Sequence, residues 1–416
     1  MKRIGKYLAL CMLVALVVST LAFASGPVTI NALFMKQAGY SEDDTKAGTA
    51  EFEKANPNIK VQLTFVAYEE LEQKIITSAQ SGSYDVVLSD GPFTAKFAQA
   101  GILKEVKLTD AERKDIFPGA LASCIYKGKI WGLPWLNDCK YMFYNKSMLK
   151  KAGFSEPPKT MDELLAQAKV IKEKGIVEYP IAWDWAQAEA LMCDYVPLTS
   201  IFGGGLVDKN GKPTINNAGN KKALDFMAGS IKAGLSNPKS TEFLEDDVKG
   251  TFESGNAAFG FNWTYMYAGA RDPKESKLAP EDVGIAVIPG EGNVVSGTCN
   301  GGQPLAISAG SKHPAEALKY MKYLTSKQFQ KKYCSNALPI WMSLYEDPAV
   351  VSSNPVVVKV AKEQYKYFVN RPIVPYYGEL STFMQVKIQE VLLGKKTSAV
   401  ALKECQDKAL ELANKK

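Results

Sequence analysis

The chain has 416 residues, 46% of them hydrophobic and 23% charged, which excludes a disordered, collagen-like or small disulfide-scaffold protein. At this length two lobes are expected, because one core rarely grows beyond about 250–300 residues. The formal charge of +6 falls to +3 without the leader residues Lys2, Arg3 and Lys6, and no basic run follows, so a nucleic-acid surface is not expected.

Residues 1–24 read as a secretory signal: a basic start, the apolar run Leu8–Leu21, then the small-x-small pattern Ala22-Phe23-Ala24. Cys11 lies inside the apolar run after Leu10, where a lipoprotein signal wants a small residue, so a free rather than lipid-anchored exported protein is expected. Six cysteines then remain: Cys124, Cys139, Cys193, Cys299, Cys334 and Cys405. Export permits disulfides among them, and the spacing alone does not choose a pairing.

Val28–Phe34 reads as a first strand. Ser41 followed by Glu42, Asp43 and Asp44 reads as the capped start of a helix that ends at Asn56-Pro57. Ile59, Val61, Leu63 and Phe65 alternate as a second strand, and Leu71, Ile75 and Ala79 mark one face of a helix over Tyr68–Gln80 that stops at Gly82. Tyr84–Leu88 is a short, nearly continuous apolar strand of the kind buried in a parallel sheet. Strand, helix, strand, helix, strand predicts an open α/β sheet with ligands beyond the strands' carboxyl ends, where Asp90 stands. Further on come a tight turn at Tyr126–Ile130, an extended Lys140–Tyr144, and a helix opened by Thr160 with Glu163 three residues on in capping-box form. Asp208–Gly211 is a hairpin turn; the position eleven residues after Asp208 is Gly219 rather than Glu, so it is no calcium loop. Helices are expected at Asn220–Ala233, His313–Thr325, Leu380–Leu393 and Thr397–Asn414.

No phosphate loop, dinucleotide fingerprint, nucleophile elbow or zinc-protease motif is present, and the only histidine, His313, precedes Pro314 at a helix start. No cofactor, metal or catalytic residue is therefore expected. Tryptophans and tyrosines instead fall in polar contexts: Trp131 and Trp135, Trp183 and Trp185, Trp263, Trp341, Tyr376 and Tyr377. Flat rings beside hydrogen-bonding forks suit a sugar, whose C–H face packs on the ring.

Several blocks carry a resemblance. They are Gly82–Val87, Lys127–Trp135 followed by Phe143–Lys146, Pro157–Leu164, Gly255–Phe259 with Asn262-Trp263, Gly301-Gly302 before Leu305–Ser308, and Arg371–Tyr376 with Gly394–Thr397. In these the chain resembles the extracellular solute-binding proteins of carbohydrate ABC transporters, the family that includes maltose-binding protein. The resemblance implies an α/β, two-lobed periplasmic-binding-protein fold with a hinged cleft, of type II or Venus-flytrap form. It places 25–137 and 300–342 in one lobe and 138–299 and 343–416 in the other. It implies a monomeric periplasmic receptor, not an enzyme, that binds a di- or oligosaccharide and delivers it to membrane permease subunits.

By the same resemblance, or by their place in the chain, the ligand contacts expected are Asp90, Trp135, Asp138, Trp183, Trp185, Gln187, Trp263, Gly301, Gly302 and Arg371, with Gln37 and Tyr40 after the first strand. The alternatives are an exported glycosidase using Asp90 and Asp138 as its two carboxylates, which would have to lie about 5–10 Å apart, and a receptor for a non-sugar solute.

Overall fold

The computed structural model describes residues 26–36, 39–334 and 337–415. The signal-peptide residues 1–24 and Gln37 therefore lie outside the described residues. In chain order the strands of the two main sheets are β1 (Val28–Met35), β2 (Ile59–Val66), β3 (Val86–Leu88), β4 (Leu103–Lys104), β5 (Leu133–Leu136), β6 (Lys140–Asn145), β7 (Ile181–Ala182), β8 (Phe259–Trp263), β9 (Val283–Ala286) and β10 (Gln303–Ser308). The helices that matter most for the cleft and its support are α1 (Glu42–Ala55), α2 (Tyr68–Ser81), α3 (Glu189–Ile201) and α4 (Tyr377–Leu392).

The first sheet runs β2-β1-β3-β10-β4, with β5 also paired to β10. β1 is parallel to β2 and β3, while β10 is antiparallel to β3, β4 and β5. Both faces are covered, and the strand period sorts the side chains between them. Ala32, Phe34, Val86, Leu88, Leu305 and Ile307 enter one core, whereas Leu33, Val87 and Ala306 enter the other beside Leu71 and Ile75 of α2. Local signals set the helix ends. Ser41 forms a full capping box with Asp44 at the start of α1, and Gly82 ends α2 at φ 67°, a left-handed conformation that glycine adopts without strain. At Thr160 the expected box is half formed. Thr160 accepts from the Glu163 N–H at 3.0 Å, but the Glu163 carboxylate accepts from Lys159 N–H instead of Thr160.

The second sheet runs β9-β6-β8-β7, with β6 antiparallel to both neighbours. Its core includes Met142, Phe259 and Phe261 together with α3 and α4. The chain passes from the first sheet to the second through Asn137–Cys139 and returns through Thr298–Gly302. The two passages lie side by side: Cys139 bridges Asn300, Gly301 N–H donates to Asp138 O at 3.0 Å, and Thr298 Oγ1 donates to Lys140 O at 2.7 Å. Phe368–Val369 lies parallel to Thr298–Cys299 at the same waist. The result is a two-lobed α/β protein whose crossing strands form a hinge beneath a cleft.

Candidate functional site

The cleft is built from strand ends and crossing segments, where side chains leave the sheets. Asp90 follows β3, and every oxygen of its carboxylate is engaged. Its Oδ1 accepts from Gly91 N–H at 2.8 Å, its Oδ2 accepts from the Tyr68 hydroxyl at 2.8 Å, and the Arg371 Nη2 lies 3.0 Å away. Arg371 Nη1 donates to Glu189 Oε1 at 2.9 Å, and Glu189 also accepts from the Tyr377 and Ser381 hydroxyls, both at 2.5 Å. Asp90 and Tyr68 belong to the first lobe; Glu189 on α3 and Tyr377 and Ser381 on α4 pack in the second. One guanidinium thus ties the two walls together. Asp90 and Arg371 are 1% and 4% exposed, so this is a buried ion network. Within it the Arg371 Nε alone has no acceptor among the described residues.

The hinge side of the cleft is arranged differently. Asp138 is half-buried, and its Oδ1 accepts from Cys139 N–H at 2.8 Å and from the Thr264 hydroxyl. Its Oδ2 has no side-chain donor among the described residues. Burial raises the Asp138 pKa to about 6, against the lowering effect of those hydrogen bonds. Trp263 at the end of β8 is also half-buried. Its Nε1 donates to Glu245 Oε1 at 3.4 Å, and the Lys140 ammonium sits 5.7 Å from its ring centroid. Gly301 is required here by close approach: a Cβ on it would fall 2.5 Å from Trp263 Cζ3. Gly302 is buried, and its N–H donates to Asn300 Oδ1 at 2.9 Å.

Behind Trp263, Lys140 is fully buried and donates to Asp184 at 2.5 and 2.6 Å and to Asp194 at 2.8 Å. Burial would lower the lysine pKa, but the two carboxylates hold it well above the ordinary value, so the ammonium persists.

Four of the expected aromatics lie elsewhere. Trp135 and Tyr40 are 1% and 2% exposed and pack on each other at 5.0 Å between centroids, in the core of the first lobe with Phe34 and Phe329. Trp183 stacks on Phe261 at 3.7 Å and 5° and on Trp185 at 5.0 Å, inside the core of the second lobe. These rings were placed in the cleft because polar residues flank them. Tyr40 was expected there for its place after β1; stacking on other rings holds all four inside the two cores instead. Gln187, next in the chain, is exposed.

Sequence reasoning missed Glu189, Tyr68, Thr264, Glu245, Lys140 and Asp194; Asp184, expected beside Trp183 and Trp185 in a cleft wall, is instead buried on Lys140. Glu189 is the only acid in the first turn of an otherwise apolar helix, and that contrast was its one visible signal.

With this geometry in place, comparison with known proteins is informative. The family model described as "Bacterial extracellular solute-binding protein" matches residues 38–331. A "Probable ABC transporter-binding protein" of Deinococcus radiodurans is 30% identical over 384 residues, covering 88% of this chain and 89% of that protein. The "Diacetylchitobiose binding protein DasA" of Streptomyces coelicolor is 27% identical over 70% of this chain and 68% of its own length. Maltose-bound MalE3 of T. maritima superposes with a TM-score of 0.84 at 27% identity, over 92% of this chain and 99% of that structure. Two α/β lobes around a hinged cleft, a match over most of the chain, and a relative 30% identical along nearly its whole length make this chain a member of the bacterial extracellular solute-binding proteins.

Proposed function

We propose that the protein is the sugar-binding component of an ABC transporter, taking a carbohydrate, a di- or oligosaccharide by the precedent of relatives named for diacetylchitobiose and maltotriose, between its lobes and presenting it to membrane permease subunits. The observation that carries this is the pairing of a half-open carboxylate with an aromatic face. Asp138 is half-exposed and has no ion-pair partner among the described residues, so it can accept from hydroxyl donors, while Trp263 offers a ring for a pyranose face. Asp138 and Trp263 are the primary contacts, and Glu245 completes the polar rim. Gly301 serves by giving the Trp263 ring room. The lobes divide at 137/138, 299/300 and 342/343, and closing about the waist strands is the signal read by the permease. The leader directs the protein to the periplasm, where it acts as a free monomer.

Hydrolysis is disfavoured by the state of Asp90. Tyr68, Gly91 and Arg371 already occupy its carboxylate, so it has no free oxygen to protonate a glycosidic bond in concert with Asp138. A thermal-shift screen with mono- to tetrasaccharides and polyols tests the reading, since a ligand at 100 times its Kd adds roughly 2.7 kcal/mol to stability. A sugar that raises the Tm and is recovered intact is the expected outcome. Hydrolysed sugar in proportion to pure protein, or stabilisation only by non-sugar solutes, would overturn it.

A further inference from the structure

Helix α3 presents one stripe to the waist of the molecule. Glu189, Cys193, Pro197 and Ile201 recur every four residues and so lie on one face. Glu189, at the first step of the stripe, grips Arg371 at 2.9 Å. At the far end, Pro197 and Ile201 seat Gly297: a Cβ there would meet Ile201 Cγ1 at 2.9 Å and Pro197 O at 3.3 Å. Between these contacts α3 packs against Thr298–Cys299, and Cys299, two residues on from Gly297 and so on the same side of the strand, comes level with Cys193, one turn back from Pro197. Both residues are buried and both are thiols in this structure, as are Cys124, Cys139, Cys334 and Cys405. Cys299 stands two residues before Gly301, so this sulfur pair lies between the Arg371 network and the hinge.

We propose that Cys193 and Cys299 are a modification site, a dithiol that is oxidised to a disulfide outside the cytoplasm and staples α3 to the returning crossover strand. Burial would push the Cys299 thiol up, but its contact with Cys193 and the nearby Arg371 and Lys140 cations bring it below the ordinary thiol value; Cys193 is raised, by the same contact and by burial. Either sulfur can attack first, and the step is the same with Cys299 written as the nucleophile. Its thiolate attacks one sulfur of an external small-molecule or protein disulfide, forming a mixed disulfide and releasing one thiolate. The Cys193 sulfur then displaces the second thiolate from Cys299. The protein gives up two electrons and two protons, which the external disulfide takes to become two thiols. With the lobes closed both sulfurs are covered, so exchange takes place while the chain folds or when the cleft opens.

The test uses the full mature chain equilibrated under native conditions with oxidised glutathione, then alkylated and digested without reduction. Mass spectrometry is expected to find one linked peptide pair, containing Cys193 and Cys299, with the other four cysteines alkylated. The oxidised protein is expected to melt above the reduced one, and Cys193→Ser and Cys299→Ser each to lose both the link and that shift. Mapping of the unmutated chain stands even where a variant folds poorly. Six alkylated cysteines, a link between any other pair, or a 193–299 link that forms only in denaturant would each overturn the proposal.

Discussion

Two parts of one cleft handle charge in opposite ways. Around Arg371 every carboxylate oxygen has a donor, the residues are nearly inaccessible, and the groups come from both lobes. Around Asp138 the carboxylate has only neutral donors, Thr264 and the Cys139 N–H, with no cation paired to it among the described residues, and the neighbouring ring is half exposed. Buried ions persist only when paired and hydrogen-bonded, whereas a recognition site must leave something unsatisfied for its ligand to complete. The saturated region therefore reads as framework that aligns the walls, and the unsaturated one as the place where a solute is recognised. Type of residue does not separate them, since both contain an aspartate, aromatics and a cation.

The largest expected effect breaks the framework. Arg371→Met would leave Asp90 and Glu189 buried without a cation, a change that typically costs about 3–5 kcal/mol. Lys140→Met would do the same to Asp184 and Asp194 within the second lobe. Denaturant unfolding of the ligand-free protein measures both. If Arg371→Met leaves stability unchanged and abolishes sugar binding, Arg371 is a ligand contact and the division drawn here fails.

Next in size come the candidate recognition residues, where affinity should fall without a loss of apo stability. Asp138→Ala removes charge-assisted hydrogen bonds to hydroxyls worth about 1.5–3 kcal/mol, or one to two decades in Kd. Trp263→Ala removes the stacking face and is expected to cost a similar amount. Calorimetry with the best sugar from the screen checks both, and a large fall in apo Tm with unchanged Kd would show them to be structural. Gly301→Ala sharpens the comparison. Its Cβ would collide with the Trp263 ring, so about a tenfold loss of affinity is expected while the ring itself remains present.

The framework was legible where it alternates with solvent and illegible where it does not. β2, α1 and α2 each expose one side, so strand alternation, helix period and the Ser41 cap survive in the sequence, while β1, covered on both faces, reads as a short apolar run. Helix α3 is buried nearly all round, from Ala190 to Ile201, and so shows no amphipathic period; its Pro197 further argues against a helix. It was missed, and with it Glu189 and the stripe that meets the waist. The cleft position of Asp90 was legible from its place at a strand end, and that of Asp138, Trp263 and Arg371 from the resemblance; their role toward a ligand is part of the proposal. What no local pattern reveals is which polar groups find partners. Asp90 and Asp138 look equivalent in the sequence and differ only through Arg371, Tyr68 and Thr264, 281, 22 and 126 residues away.

The smallest effect, and the one that separates the two regions without a large perturbation, is the pH dependence of Asp138. Its folded pKa of about 6 lies above the ordinary 3.8, so the folded protein binds this proton more readily than the unfolded chain. The ionised group therefore opposes folding above about pH 6, and that penalty disappears as pH falls through the interval from 6 to 4. Two units correspond to about 3 kcal/mol at most, less whatever solvent screening its half-exposed side provides. Affinity should move the other way. If only the carboxylate accepts the sugar hydroxyls, protonation should weaken binding about tenfold between pH 7 and pH 5. The two trends share one group, so Asp138→Asn should flatten both. Titration calorimetry and thermal melts at pH 5, 6 and 7 on both proteins make the comparison. A pH dependence of affinity that survives in Asp138→Asn would move the recognition site away from the hinge and toward Glu189 or Glu245.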